Sequence, residues 1–251
     1  MNSAPLDLEA PASWPEVLRA YLAQHHDFFL DWETKREWAT GAGYDRAVYG
    51  LESLLRQYSL VGWHCTRLTE DEIAHIRSGG MQPMDAAMLE RRLDAVVAAG
   101  LLTETMAGKL KARHQAREPS RAGRVWFCFF PPRHAGELGI GRFFRHWGGE
   151  ALYNSHEDDP ETGAALRSVG VPCVIEALVP LSSLGSLGFL PEKIARRHLI
   201  AHGHQTVEPI DHEGAITSPL EAARIRRTAL FPSRKFGELT GCDGWRAPVA
   251  G

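Results

Sequence analysis

The sequence predicts an α+β fold, a helical N-terminal extension followed by a domain in which strands and helices succeed one another irregularly. Three observations carry that expectation. Apolar residues recur at helical spacing through most of residues 14–58. Apolar runs with the look of buried strands begin at residue 61 and return near residues 125, 171, 207 and 227. No internal repeat and no regular β-α-β alternation links those runs. With 251 residues, 44% of them hydrophobic, the chain has material for one large or two small cores. The boundary is expected between a helical extension, residues 1–60, and an α+β domain, residues 61–251.

Residues 1–13 are rich in Ala, Pro and acidic side chains and read as a loose tail. Ser13 stands where an N-cap belongs, with Pro15 at an early helical position. Val17, Leu18, Tyr21 and Leu22 then follow helical spacing, as do Val48, Leu51, Leu54 and Leu55, and Gly41-Ala42-Gly43 marks a break between helices. The run from Val61 to Leu68 predicts a strand that delivers His64 and Thr66 to the mouth of a helix. Thr69 and Glu72 have capping-box spacing, Ile73, Ile76 and Met81 mark the buried side, and Gly79-Gly80 ends that helix.

Residues 85–115 read as a helical hairpin. Met88, Leu89, Leu93, Val96 and Val97 form its stripe, Gly100 stops the first helix, and Thr103 starts the second. Glu90, Arg91, Arg92 and Asp94 make a charged face of the kind that is ordinarily solvated. A basic stretch from Lys109 to Arg124 then runs up to the aromatic strand Val125 to Phe130, closed by Pro131-Pro132. Ile140 to His146 has helical spacing, Gly148-Gly149 precede Glu150, and residues 154–161 are Asp-rich and read as a loop. Val171 to Pro180 predicts a strand with a single acid, Glu176, and two further strands are expected within 207–216 and 227–231.

Composition removes several classes of function. A net charge of −3 argues against a broadly basic nucleic-acid coat, leaving the 109–124 stretch as the candidate phosphate-contacting edge. The cysteines at 65, 128, 173 and 242 lie far apart with no Cys-x-x-Cys pair, which disfavours a zinc site or disulfide frame and fits a reducing cytoplasm. No signal peptide or membrane span is indicated. His198, His202, His204 and His212 have spacing compatible with zinc, yet no Glu adjoins the first and no cysteine is near, so no metal site is expected.

The polar exceptions inside strand-like contexts are His64, Thr66, Glu150 and Glu176, with Glu213 later in the chain. A carboxylate in an apolar run costs several kcal/mol unless it is paired or turned to solvent, so Glu176 asks for a partner or a solvated face. Glu150, after two glycines, can be aimed into a cleft by a sharp turn.

His64-Cys65-Thr66 with its following helix and glycine pair, the aromatic strand ending at Arg133, and a later acid-bearing strand together resemble the NAD-dependent ADP-ribosyltransferase superfamily. The likeness covers about residues 61–232 and lies nearest the toxin-like branch that modifies nucleic acids. It implies a split β-sheet core and NAD as substrate. It further implies ADP-ribose transfer to a macromolecule, nucleic acid ahead of protein, with a toxin or phage-defence setting and an antitoxin partner. On that resemblance His64 grips a ribose, Thr66 a neighbouring hydroxyl, and Arg67 or Arg133 the pyrophosphate. An aromatic within 127–130, Phe129 among them, meets nicotinamide. The catalytic acid is Glu150, Glu176 or Glu213, and the residues leave that choice open. Two other functions share the same outline, a nonenzymatic nucleotide- or partner-binding module and an NAD glycohydrolase.

Overall fold

The computed structural model describes residues 5–35 and 38–249, with residues 38–40 given by backbone alone. Three helices, α1 (Glu16–Gln24), α2 (His26–Thr34) and α3 (Trp38–Leu55), precede strand β1 (Ser59–Leu68). Helices α4 (Glu70–Gly79), α5 (Ala86–Ala98) and α6 (Glu104–Ala112) lead to β2 (Val125–Cys128). Next come α7 (Gly136–Arg145), α8 (Glu150–His156), α9 (Pro160–Ser168) and β3 (Val171–Pro180). The chain ends with α10 (Leu190–Ala201), β4 (Glu213–Ile216), β5 (Ile225–Leu230) and α11 (Arg234–Thr240). The five strands form one sheet in the order β4-β2-β1-β3-β5, so the fold is α+β with β1 in the middle. β3 and β5 run antiparallel, Cys173 facing Leu230 and Glu176 facing Arg227, with a register irregularity after Glu176.

The chain divides into two compact units, one of Met1–Gly62, Cys128–Phe130 and Leu178–Gly214, the other of Trp63–Phe127, Pro131–Ala177 and Ala215–Gly251. The first is mostly helical. Its buried apolar residues include Leu18, Leu22, Phe29, Leu51, Leu55, Leu190, Ile194 and Leu199. Gly41-Ala42-Gly43 does not break a helix, because α3 runs straight through it. A Cβ on Gly43 would lie 2.6 Å from the Phe28 ring, so the small residue serves close approach of two helices. Ser13 is not the cap expected of it either. It closes a short 3-10 turn and bonds the Ala10 carbonyl, and Pro15 holds the cap position of α1.

The expected loose tail is docked from residue 5 onward, residues 1–4 lying outside the described part. Leu6 and Leu8 are buried, Leu6 exchanges backbone hydrogen bonds with Ser59 and Val61 at 2.8 and 2.9 Å, and Arg197 donates to the carbonyls of Leu8 and Glu9. Two leucines spaced by two turn to the same side, and Leu6 pairs in parallel with Leu60 at the start of β1.

In the second unit Leu89, Leu93 and Val96 of α5, Leu110 of α6, Trp147, Leu152 and Leu166 form one core cluster. Asp85 and Thr103 cap α5 and α6, and Gly100 turns between them with φ 71°. Thr69 and Glu72 make a complete capping box on α4, which ends at Gly80 with φ 81°. A Cβ there would meet the Leu220 carbonyl at 2.0 Å, so Gly80 is required twice over. Residues 154–161 are not one loop. α8 continues to His156, and Asp159 caps α9 after a short turn, so the Asp-rich composition reflects capping chemistry.

Candidate active site

His64 and Thr66 point to the same side of β1, alternating with buried Trp63, Cys65 and Arg67. His64 Nδ1 stands 2.8 Å from the carbonyl oxygen of Trp126 on β2. A carbonyl only accepts, so Nδ1 carries the proton and Nε2 is an acceptor. That second nitrogen has no protein partner among the described residues. Burial lowers the His64 pKa, the Trp126 carbonyl raises it, and the guanidinium of Arg92 lowers it again, for a net fall below 6.5.

Arg92 comes from α5, whose buried Leu89 and Val96 fix the side it faces. Its Nε donates to Glu72 at 2.6 Å, its Nη1 lies 3.4 Å from the Met84 sulfur, and its Cζ sits 4.7 Å from the Trp147 ring centre. Trp147 is fully buried and donates its indole N–H to Glu72 at 2.9 Å. Burial pushes the Glu72 carboxyl up, but Arg92, the Thr69 backbone N–H and Trp147 more than offset it and hold the group below its ordinary value. One carboxylate therefore caps α4, anchors an indole and orients a guanidinium. The Nη2 amino group of Arg92 has no protein partner among the described residues, leaving two N–H donors for an anion.

The other expected site residues fall in different settings. Arg67 is buried and gives its Nε and Nη1 to the carbonyls of Val169 at 2.7 Å and Phe144 at 3.2 Å, a structural use of the fork. Phe129 is fully buried and stacks on His212 at 6.2 Å in the helical unit. Trp126 is the exposed aromatic of β2, at 39%. Arg133 is exposed in a short 3-10 turn after β2.

Of the three acids, Glu176 is buried and held by Arg226 at 3.0 Å and Arg227 at 3.1 Å, which supplies the partner its apolar run demanded. Glu150 opens α8 after Gly148 and Gly149, with φ 83° and 62°, and pairs with Arg121 at 3.2 Å. It also acts on Tyr153, whose hydroxyl is pushed up by burial first and then by Glu150. Glu213 heads β4 and is exposed.

The basic stretch is largely paired: Lys109 with Glu161, Lys111 with Asp94, Arg117 with Glu90, and Arg121 with Glu118 and Glu150. Among the described residues no three His, Cys, Asp or Glu side chains stand close enough to hold a metal ion. No helix of the described residues is long and apolar enough to cross a membrane. No family model, curated protein or solved structure matches the chain.

Sequence reasoning missed Arg92 and Trp147. Arg92 lies three residues after Leu89 and four before Val96, at the flank of the buried stripe, which is the signal that separates it from the solvated charges around it.

Proposed function

We propose that the chain transfers ADP-ribose from NAD to a macromolecular acceptor, nucleic acid ahead of protein. The observation that carries the reading is an imidazole fixed through Nδ1 with its Nε2 open, close enough to Arg92 for the guanidinium to lower its pKa. An open imidazole acceptor suits a ribose hydroxyl, and an oriented guanidinium with free N–H groups suits a pyrophosphate. The glycosidic bond of NAD is activated by its cationic leaving group. The protein's task is then to hold the dinucleotide, stabilise positive charge at the anomeric carbon and present an acceptor. In this reading Arg92 takes the pyrophosphate role that Arg67, bonded to two carbonyls, does not fill. Trp126 offers the accessible ring that buried Phe129 does not. The nucleic-acid preference, the toxin or phage-defence setting and an antitoxin partner rest on the family resemblance alone.

The test is nicotinamide release from NAD by the full chain, run without acceptor and with single-stranded DNA, RNA or protein. His64→Ala is expected to abolish release. Of Glu150→Gln, Glu176→Gln and Glu213→Gln, one is expected to abolish release while leaving NAD binding intact. Release that needs no acceptor would make the protein a glycohydrolase. NAD binding without release under any condition would leave a binding module.

A further inference from the structure

Four histidines meet in the helical unit. His26 opens α2, His198 lies in the last turn of α10, and His202 and His204 follow it. The His26 ring centre is 5.3 Å from that of His198, 5.6 Å from His202 and 5.2 Å from His204, and His198 and His202 are 4.2 Å apart. His26 Nδ1 and His198 Nε2 are 3.2 Å apart, so one carries the shared proton and the other accepts it. His202 Nδ1 donates to the His198 carbonyl at 2.8 Å. The rings pack against one another, and their nitrogens do not converge as a ligand set.

Among the described residues, most charged groups on the neighbouring elements are paired elsewhere or exposed. On α2, Asp27 is exposed, Asp31 pairs with Lys35, and Glu33 pairs with Arg196 of α10, which also meets Glu208 at 3.1 Å. His25, just before α2, is bonded to the Tyr21 carbonyl. From α3 comes Tyr44, its hydroxyl pushed up by burial first and then by Glu192, with Arg196, Glu33 and Glu208 also acting on it. On α10, Arg197 binds the carbonyls of Leu8 and Glu9, and Lys193 binds that of Pro209. Among the described residues no carboxylate acts on His198. Burial first, then His202, His26 and His204, lower its pKa to about 4.

We propose that the His26, His198, His202 and His204 cluster is an acid-sensitive latch joining α2 to the end of α10, closed while its imidazoles share one hydrogen-bonded arrangement and opened when further protons enter it. Two imidazolium rings with centres about 5 Å apart, with no carboxylate of the described residues between them, repel strongly where water is partly excluded. Because His198 is harder to protonate in the closed form, the open form takes up protons first. Closure is therefore complete above the ordinary histidine pKa of about 6.5, weakens as pH falls below it, and levels off below about 4.

Hydrogen exchange of the full chain, corrected for intrinsic rates and compared at about pH 7 and pH 4.5, tests this. Protection of α2 and α10 is expected to fall on the order of a hundredfold, the shift that linkage of a strongly depressed histidine produces. His198→Gln removes the depressed group and should reduce that loss to less than about tenfold, whereas His26→Gln, at a half-buried position, leaves burial and His202 acting on His198 and should reduce it by about threefold. Unchanged protection in the parent protein, or an undiminished loss in His26→Gln, overturns the proposal.

Discussion

The fold lowers the pKa of both His64 and His198, and the two differ in the charges that act on them. Burial is the largest cause at each. At His64 the repelling neighbour is Arg92, a cation at every accessible pH, so its effect is constant. At His198 the neighbours are three imidazoles, groups whose charge, unlike that of a guanidinium, depends on pH. A fixed cation yields a stable acceptor nitrogen suited to a ligand. Titrating neighbours yield an arrangement whose integrity depends on pH.

The strongest way to break the contrast is Glu72→Ala. Glu72 receives the Thr69 backbone N–H, the Trp147 indole and Arg92, and its removal leaves a partly buried guanidinium without its counter-charge. Loss of those bonds is expected to cost about 3 kcal/mol, read as a lower urea midpoint with an unchanged slope. His26→Gln at about pH 7 removes one imidazole–imidazole bond and should cost no more than about 1 kcal/mol by the same measurement. Equal costs would mean that Glu72 does not hold the His64 side together. A smaller effect is expected from Arg92→Lys, which keeps the charge and loses the planar fork. NAD binding in the nicotinamide-release assay should weaken about tenfold, as a rise in KM with kcat little altered. An unchanged KM would remove Arg92 from the proposed site.

Local signals were the legible part of the sequence. The Thr69 and Glu72 capping box, the Gly80 stop, the Thr103 cap, the strand Val171–Pro180 and the period-2 placement of His64 and Thr66 all follow from spacing within ten residues. Contacts set by the fold were not. Glu72 reaches Arg92 and Trp147 across 20 and 75 residues, and His26 reaches His198 across 172. The zinc-like spacing at 198, 202, 204 and 212 drew attention to the right stretch and to the wrong fourth member, because the histidine that completes the cluster arrives on α2. Gly41-Ala42-Gly43 misled for a related reason, since a glycine's role as spacer depends on a ring supplied by another helix. The acid of the candidate site is the least legible element, because the burial and pairing that separate Glu150, Glu176 and Glu213 come from contacts that sequence does not display.

His212 supplies the finest test of the comparison. Its pKa is also lowered to about 4, by burial first and then by Lys193, against the opposing effects of the Leu187 carbonyl and Asp211, and no imidazole contributes. It is thus a histidine of the His64 kind located in the same unit as the four-histidine cluster. Lys193→Met removes a permanent cation while burial, the larger cause, remains, so the His212 pKa should rise by roughly half a unit. NMR titration of the ring proton reads that shift directly. His212 should keep a single-proton curve in both forms, whereas His198, on which three other imidazoles act, should titrate more broadly. A broad curve at His212, or a single-proton curve at His198, would place the two histidines in the same class and remove the distinction between a fixed and a titrating neighbour.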